Sequence, residues 1–151
     1  MIRDLYSNMG LVQAIAAQTV TIGGGAVNSG DLDLRGFDSA MMSINVGASG
    51  DTLAAGVKFD IKMEHADDDG TGSAGAYAAV AAKDVIGVTP DGSGNVILID
   101  DPAEDSQMYG FSYIGHKRFV KITITPSAGN TNGTPFSIDL VKGHAHARPV
   151  N

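Results

Sequence analysis

Two acidic runs, a histidine pair, a glycine run and a basic cluster are the places in this 151-residue chain where side chains could do chemistry. Asp67-Asp68-Asp69-Gly70 offers oxygens to a calcium ion, but a calcium loop staggers its ligands and closes on a distant bidentate Glu. Here the acids are adjacent and the twelfth position counted from Asp67 is Ala78, so the run reads as a solvated hairpin loop. Asp100, Asp101, Glu104 and Asp105 could do acid–base work if burial raised one of them, yet nothing in the flanking residues predicts burial. His144 and His146 form an H-x-H, which on a strand would share a face and could hold a transition metal with a third ligand. They stand beyond the last strand pattern, between Gly143 and Pro149, so hydrogen bonding or a pH-tunable contact with an acidic partner is the reading adopted. Gly23-Gly24-Gly25 lacks the spacing and the following helix of a phosphate loop. Lys117, Arg118 and Lys121 surround Phe119 as in a nucleic-acid patch, but a single interleaved aromatic and an isoelectric point near 4.7 argue against one. No nucleophile-elbow pattern occurs, and with no cysteine there is no thiol nucleophile, disulfide or thiolate metal site. The sequence therefore predicts no enzyme, no metal, no cofactor and no nucleic-acid partner.

The elements around these residues read as strand and turn. Ala40–Val46 alternates, with Ala40, Met42, Ile44 and Val46 on one face. Lys58–Glu64 alternates most cleanly, placing Phe59, Ile61 and Met63 inward and Lys58, Asp60, Lys62 and Glu64 outward. Val120, Ile122 and Ile124 share a face in Arg118–Thr125, as do Phe136, Ile138 and Leu140 in Phe136–Val141. Shorter candidates are Thr19–Ile22, Asp31–Leu34, Val85–Val88, Val96–Ile99 and Tyr109–Ile114, while Tyr77–Lys83 fits either a short helix or a ragged strand. Eight or nine strands at 8–12-residue spacing with Gly/Pro/Asn/Asp turns predict an all-β, antiparallel β-sandwich or jelly-roll-like single domain. The expected division is an N-terminal arm or short helix over 1–16, a sandwich over 17–142 and a basic tail over 143–151. Leu5, Met9 and Val12 at helical spacing suggest the helix, against Gly10.

Charge is unevenly spread. Residues 1–115 carry sixteen acidic side chains against five basic, whereas 116–151 carry five basic (Lys117, Arg118, Lys121, Lys142, Arg148) against Asp139, plus three of the four histidines. The net −7 thus conceals a chain of about −11 followed by +4, which could turn a basic surface to an acidic partner. Gly is 20 of 151 residues, about twice the usual share, and the apolar side chains are mostly small. Such a thin core suits an oligomer. No run approaches the ~20 apolar residues of a membrane span, and the opening residues do not form an export signal. The expectation is a protein made in the cytosol with no membrane partner.

Three stretches carry a family resemblance. The chain opens MIRDLYSNM, with Arg3, Asp4 and Leu5. It continues through GFDSAMMSINVG and FDIKMEHADDDGT to YIGHKRFVK, with Tyr113, Gly115, Lys117, Arg118, Phe119, Val120 and Lys121. It ends KGHAHARPV, with Gly143, His144, Pro149 and Val150. Together these resemble small structural proteins encoded beside the major capsid gene of tailed bacteriophages and prophages. The resemblance implies a virion component, foremost a decoration or cement protein on the outer capsid surface. It also implies the major capsid protein as partner and a homo-oligomer, with a trimer favoured. A head–tail joining or tail structural role is the alternative, and a carbohydrate- or ligand-binding sandwich module is another. Sugar sites stack rings on Trp or Tyr, and this chain has no Trp and only Tyr6, Tyr77, Tyr109 and Tyr113. The expected partner contacts are Ile2, Leu5 and Tyr6 of the arm, and Lys117, Arg118, His144, His146 and Arg148 of the basic region.

Overall fold

The computed structural model describes residues 5–147 and 150. Two expected contact residues, Ile2 and Arg148, lie outside the described residues. The strands are β1 (Gly10–Val20), β2 (Val27–Asn28), β3 (Leu32–Asp33), β4 (Phe37–Val46), β5 (Phe59–Ala66), β6 (Ala78–Ala79), β7 (Val85–Ile86), β8 (Asn95–Ile99), β9 (Met108–Tyr113), β10 (Phe119–Pro126) and β11 (Thr134–Ala145). Every pairing between them is antiparallel.

One sheet runs β1-β11-β4-β9-β7; the other runs β2-β10-β5-β6, with β3 also on β10 and β8 also on β5. Both β2 and β3 pair with β10, so they act as two halves of one edge strand. Setting aside the two-residue β6 and β7, eight strands remain. The first, eighth, third and sixth form one sheet, and the second, seventh, fourth and fifth form the other. That interleaving is a jelly roll.

The clean period-2 stretches became the four central strands, β4, β5, β10 and β11. Their inward residues fill the space between the sheets: Met42, Ile44, Phe59, Ile61, Met63, Ile122, Ile124, Phe136, Ile138 and Leu140 are all essentially inaccessible. Phe59 and Phe136, from opposite sheets, meet edge-on with ring centroids 5.0 Å apart, a geometry that aromatic quadrupoles favour.

Two terminal expectations need correction. No helix spans residues 5–16: a single 3-10 turn covers Tyr6–Asn8, and from Gly10 the chain is β1, paired along β11. Ala14 and Ile15 are both buried and Ala16–Thr19 are all exposed, because the register slips between Gln13 and Ile15 and again between Ile15 and Gln18. Bulges of this kind erase the alternation that marks a strand. At the other end β11 runs on to Ala145, pairing Gly143 with Ser39 and Ala145 with Phe37, so His144 belongs to the last strand.

The polar stretch from Ser127 to Thr134 is pinned. Asp51 accepts from the backbone N–H of Asn132 and Gly133 and from the side chains of Thr131 and Asn132. These bonds, that of Gly133 first, hold the Asp51 carboxyl below the usual carboxylate range.

A candidate partner-binding end of the sandwich

The antiparallel pairing gathers residues 5–9, 113–121 and 142–147, described parts of the three resembling stretches, at one end of the sandwich. β10 starts there at Phe119, immediately after Lys117 and Arg118, and β11 ends there. A cleft of about 380 Å³ lies at this end, with Phe37, Asp38, Tyr113, Lys117, Arg118 and His146 in its wall. His144 adjoins it through a 2.7 Å bond between Nδ1 and Ser39 Oγ. Its backbone sits at φ 52°, a left-handed conformation that side chains other than glycine rarely take. The Val150 N–H donates to the Ser7 carbonyl at 3.2 Å, joining the C-terminal residues to the N-terminal turn. Leu5 at the start of that turn and Tyr6 within it are 67% and 73% exposed.

The charges pair differently from their order along the chain. Arg118 forks onto Asp33, Nε to Oδ1 at 2.9 Å and a terminal nitrogen to Oδ2 at 2.7 Å, and also reaches Asp68. Lys117 pairs with Asp67, and Lys121 lies 3.6 Å from Glu64. Lys142 donates to the Asp33 carbonyl and stands over the Phe37 ring, 4.6 Å from its centroid. His146 Nε2 meets Asp38 Oδ1 at 2.7 Å. The positive segment is thus stitched to acids that precede it by 50 to 110 residues, and the lengthwise dipole largely closes on itself. The Arg118 bond holds the Asp33 carboxyl below its ordinary range, and Asp33 raises Arg118 in return. Lys117 and Arg118 therefore brace the end from within as well as lining its cleft.

Asp68 and Asp69 accept from backbone N–H groups of their own loop, Gly70 and Gly72 for Asp68 and Thr71 and Ser73 for Asp69. The carboxylates that suggested calcium are thus committed to loop geometry and to Arg118. Among the described residues no group of three or more His, Asp or Glu side chains is placed to hold a metal ion. His144 and His146 turn to separate partners, Ser39 and Asp38.

Sequence reasoning missed a buried pair next to this end. His65 Nδ1 lies 2.9 Å from the Tyr113 hydroxyl, whose oxygen accepts the Lys117 N–H at 3.1 Å. The signal was present: His65 is in phase with the inward Phe59, Ile61 and Met63, and Tyr113 with the inward Phe111. Burial holds His65 below its ordinary value and pushes Tyr113 up to about 12. Both shifts favour neutral forms, so near pH 7 an uncharged imidazole and an un-ionised hydroxyl share the hydrogen bond, a structural lock between the sheets. A nucleophilic tyrosine would need the opposite shift.

This pair gives a pH prediction. The unfolded chain takes up a proton on His65 near its ordinary value of 6.5, and the folded chain does so only at lower pH. Stability is therefore full above that value and falls as pH drops through it toward the folded-state pKa. The melting temperature should begin to decline as the pH falls below His65's ordinary value of 6.5. His65→Gln should flatten that part of the profile; an unchanged slope would show that another group controls it.

The tyrosines bear on ligand stacking. Tyr113 is buried, Tyr109 donates to the Glu104 carbonyl, and the Tyr77 ring lies under Lys121 at 3.9 Å with its hydroxyl on Asp31. Tyr6 is the tyrosine that remains largely exposed among the described residues.

No family model matches the chain, and no curated protein matches it. Two solved structures of infectious bursal disease virus are similar to it. The Gx strain structure is 18% identical over 93% of this chain and 33% of that one, with a TM-score of 0.40. The VP2 subviral particle is 17% identical over 90% and 32%, with a TM-score of 0.38. The chain spans about a third of the length of these matches. A likeness of this size carries no argument about function, and the jelly-roll assignment rests on the strand pairing above.

Proposed function

We propose that this protein is a structural component of a tailed-phage virion, acting as a decoration protein that binds the outer capsid surface as a homo-oligomer and stabilises the shell. One observation carries the reading. The opening, central and closing stretches that give the sequence its resemblance are far apart in the chain, yet they meet at one end of the jelly roll. There Leu5 caps and Tyr6 opens the 3-10 turn, Lys117 and Arg118 line a cleft, and His144 and His146 close its rim. The body beneath is a braced two-sheet sandwich, an architecture also used in viral shells and lectins. Fold alone does not decide between these uses, so the reading rests on the convergence.

The internal ion pairs shift the expected energetics. Lys117 and Arg118 already have carboxylate partners, so the exposed apolar groups carry more of the contact, as aromatic anchors do at interfaces generally. Purified protein added to capsids of its own phage that lack it should bind and raise the temperature at which they disrupt. Leu5→Ala with Tyr6→Ala should weaken binding by at least about tenfold. Wild-type protein that neither binds such capsids nor stabilises them overturns the decoration role.

A further inference from the structure

The two sheets present opposite outer faces. On β5 and β10 of the other sheet the outward positions are charged or hydroxylic, with Lys121 opposite Glu64, Thr123 opposite Lys62 and Thr125 opposite Asp60; the large exposed apolar side chain on this face is Leu98 of β8, beside Asp60. Three ion pairs knit this face, Lys58–Asp60, Lys62–Glu64 and Lys121–Glu64. It is finished for solvent.

The outer face of the five-stranded sheet is the reverse. Strand register sets one continuous rung across all five strands: Leu11 opposite Val141, Val141 opposite Met41, Met41 opposite Ser112, Ser112 opposite Ile86. Leu11, Met41 and Ile86 are 70%, 43% and 59% exposed. Among the described outward positions of these strands, Asp139 is the one charged side chain. In a chain of net charge −7, a near-neutral face crossed by an apolar rung has no explanation in the folding of a single copy.

We propose that this face pairs with the same face of a second copy about a two-fold axis, the two apolar rungs lying against each other. Two properties select that occupant. The first is area. At about 3.3 Å per residue and about 4.8 Å between strands, the five strands cover roughly 650 Å². With rim side chains added, this approaches the roughly 800 Å² that each partner gives to a stable interface. The second is charge. Two copies that each carry −7 repel, and they approach at least electrostatic cost through the face with the fewest charges. A two-fold contact is self-complementary, which a rung crossing the whole sheet allows without any second matching surface. The inference does not depend on the capsid reading, since the face is distinct from the end that holds Leu5, Tyr6 and the cleft.

The test is the mass of the full chain in solution by light scattering and sedimentation equilibrium, for the wild type, Met41→Glu, Met41→Lys and Thr123→Glu. The proposal expects two copies for the wild type and for Thr123→Glu, which alters the charged face. Both Met41 variants should be monomeric, with the dimer dissociation constant raised at least about 100-fold because each two-fold contact carries the substitution twice. Circular dichroism should stay at wild-type values, since Met41 is 43% exposed in the single copy. A monomeric wild type overturns the proposal, as does a mass of three copies, or Met41 variants that remain dimers.

Discussion

Truncating Phe136 to Ala should lower the unfolding free energy by about 3–5 kcal/mol, the usual cost of removing a fully buried Phe. Phe136 is 1% exposed at the start of β11 and packs edge-on against Phe59 of the opposite sheet. The substitution removes buried apolar area, leaves a cavity where the two sheets meet, and loses the ring–ring contact, which contributes about 0.5–1.5 kcal/mol in comparable pairs. For a domain whose total stability is on the order of 5–15 kcal/mol, that is a large share. The melting temperature should fall by roughly 10 °C or more. Urea unfolding measures the loss directly. A Phe136→Ala loss below about 1 kcal/mol would mean that the sheets do not close on these rings.

Gly133→Ala should be nearly as costly, by a different mechanism. Gly133 has φ 77°, and its N–H donates to Asp51 at 2.8 Å. A methyl group there would fall on the Val20 carbonyl oxygen and the Thr21 side chain, and would come within 3.0 Å of Thr19 Cγ2. The left-handed backbone and the clash with a backbone atom should together cost about 2–5 kcal/mol. Gly56→Ala is the control, since a methyl group at that position would meet nothing within 4 Å and its backbone is not left-handed. Equal unfolding midpoints for the two variants would contradict the tight approach of β1 to the start of β11.

The contrast between Phe136 and Gly133 also marks what could be read from the sequence. Strands buried on one face and wet on the other display a period of two, so Ala40–Val46, Lys58–Glu64, Arg118–Thr125 and Phe136–Val141 were legible. Their inward residues are the core. The two-residue β2 is too short to show a period, and Ala-rich β6 left Tyr77–Lys83 open between helix and strand, whereas β3 falls within the expected Asp31–Leu34. β1 was misread because its bulges bury Ala14 beside Ile15, while Leu5, Met9 and Val12 happen to fall at helical spacing. The continuation of β11 to Ala145 was hidden because Gly143 and His144 carry no apolar alternation; Ser39 and Phe37 across the ladder define it.

The candidate end was half legible. Its basic residues stood out in the sequence, but their acidic partners did not, because Asp33, Glu64, Asp67 and Asp68 become neighbours only when β3 and β5 flank β10. A one-dimensional charge profile therefore overstated the free positive surface. The neutral outer face escaped notice for a related reason: Leu11, Met41, Ile86 and Val141 form a row only once the register of five strands is known.

The most direct measurement is the amount of this polypeptide in purified virions relative to the major capsid protein, by quantitative mass spectrometry. The expected result is a fixed, lattice-scale ratio that persists through stringent purification. Absence from the particle, or the few copies of a single ring at the head–tail junction, would contradict it.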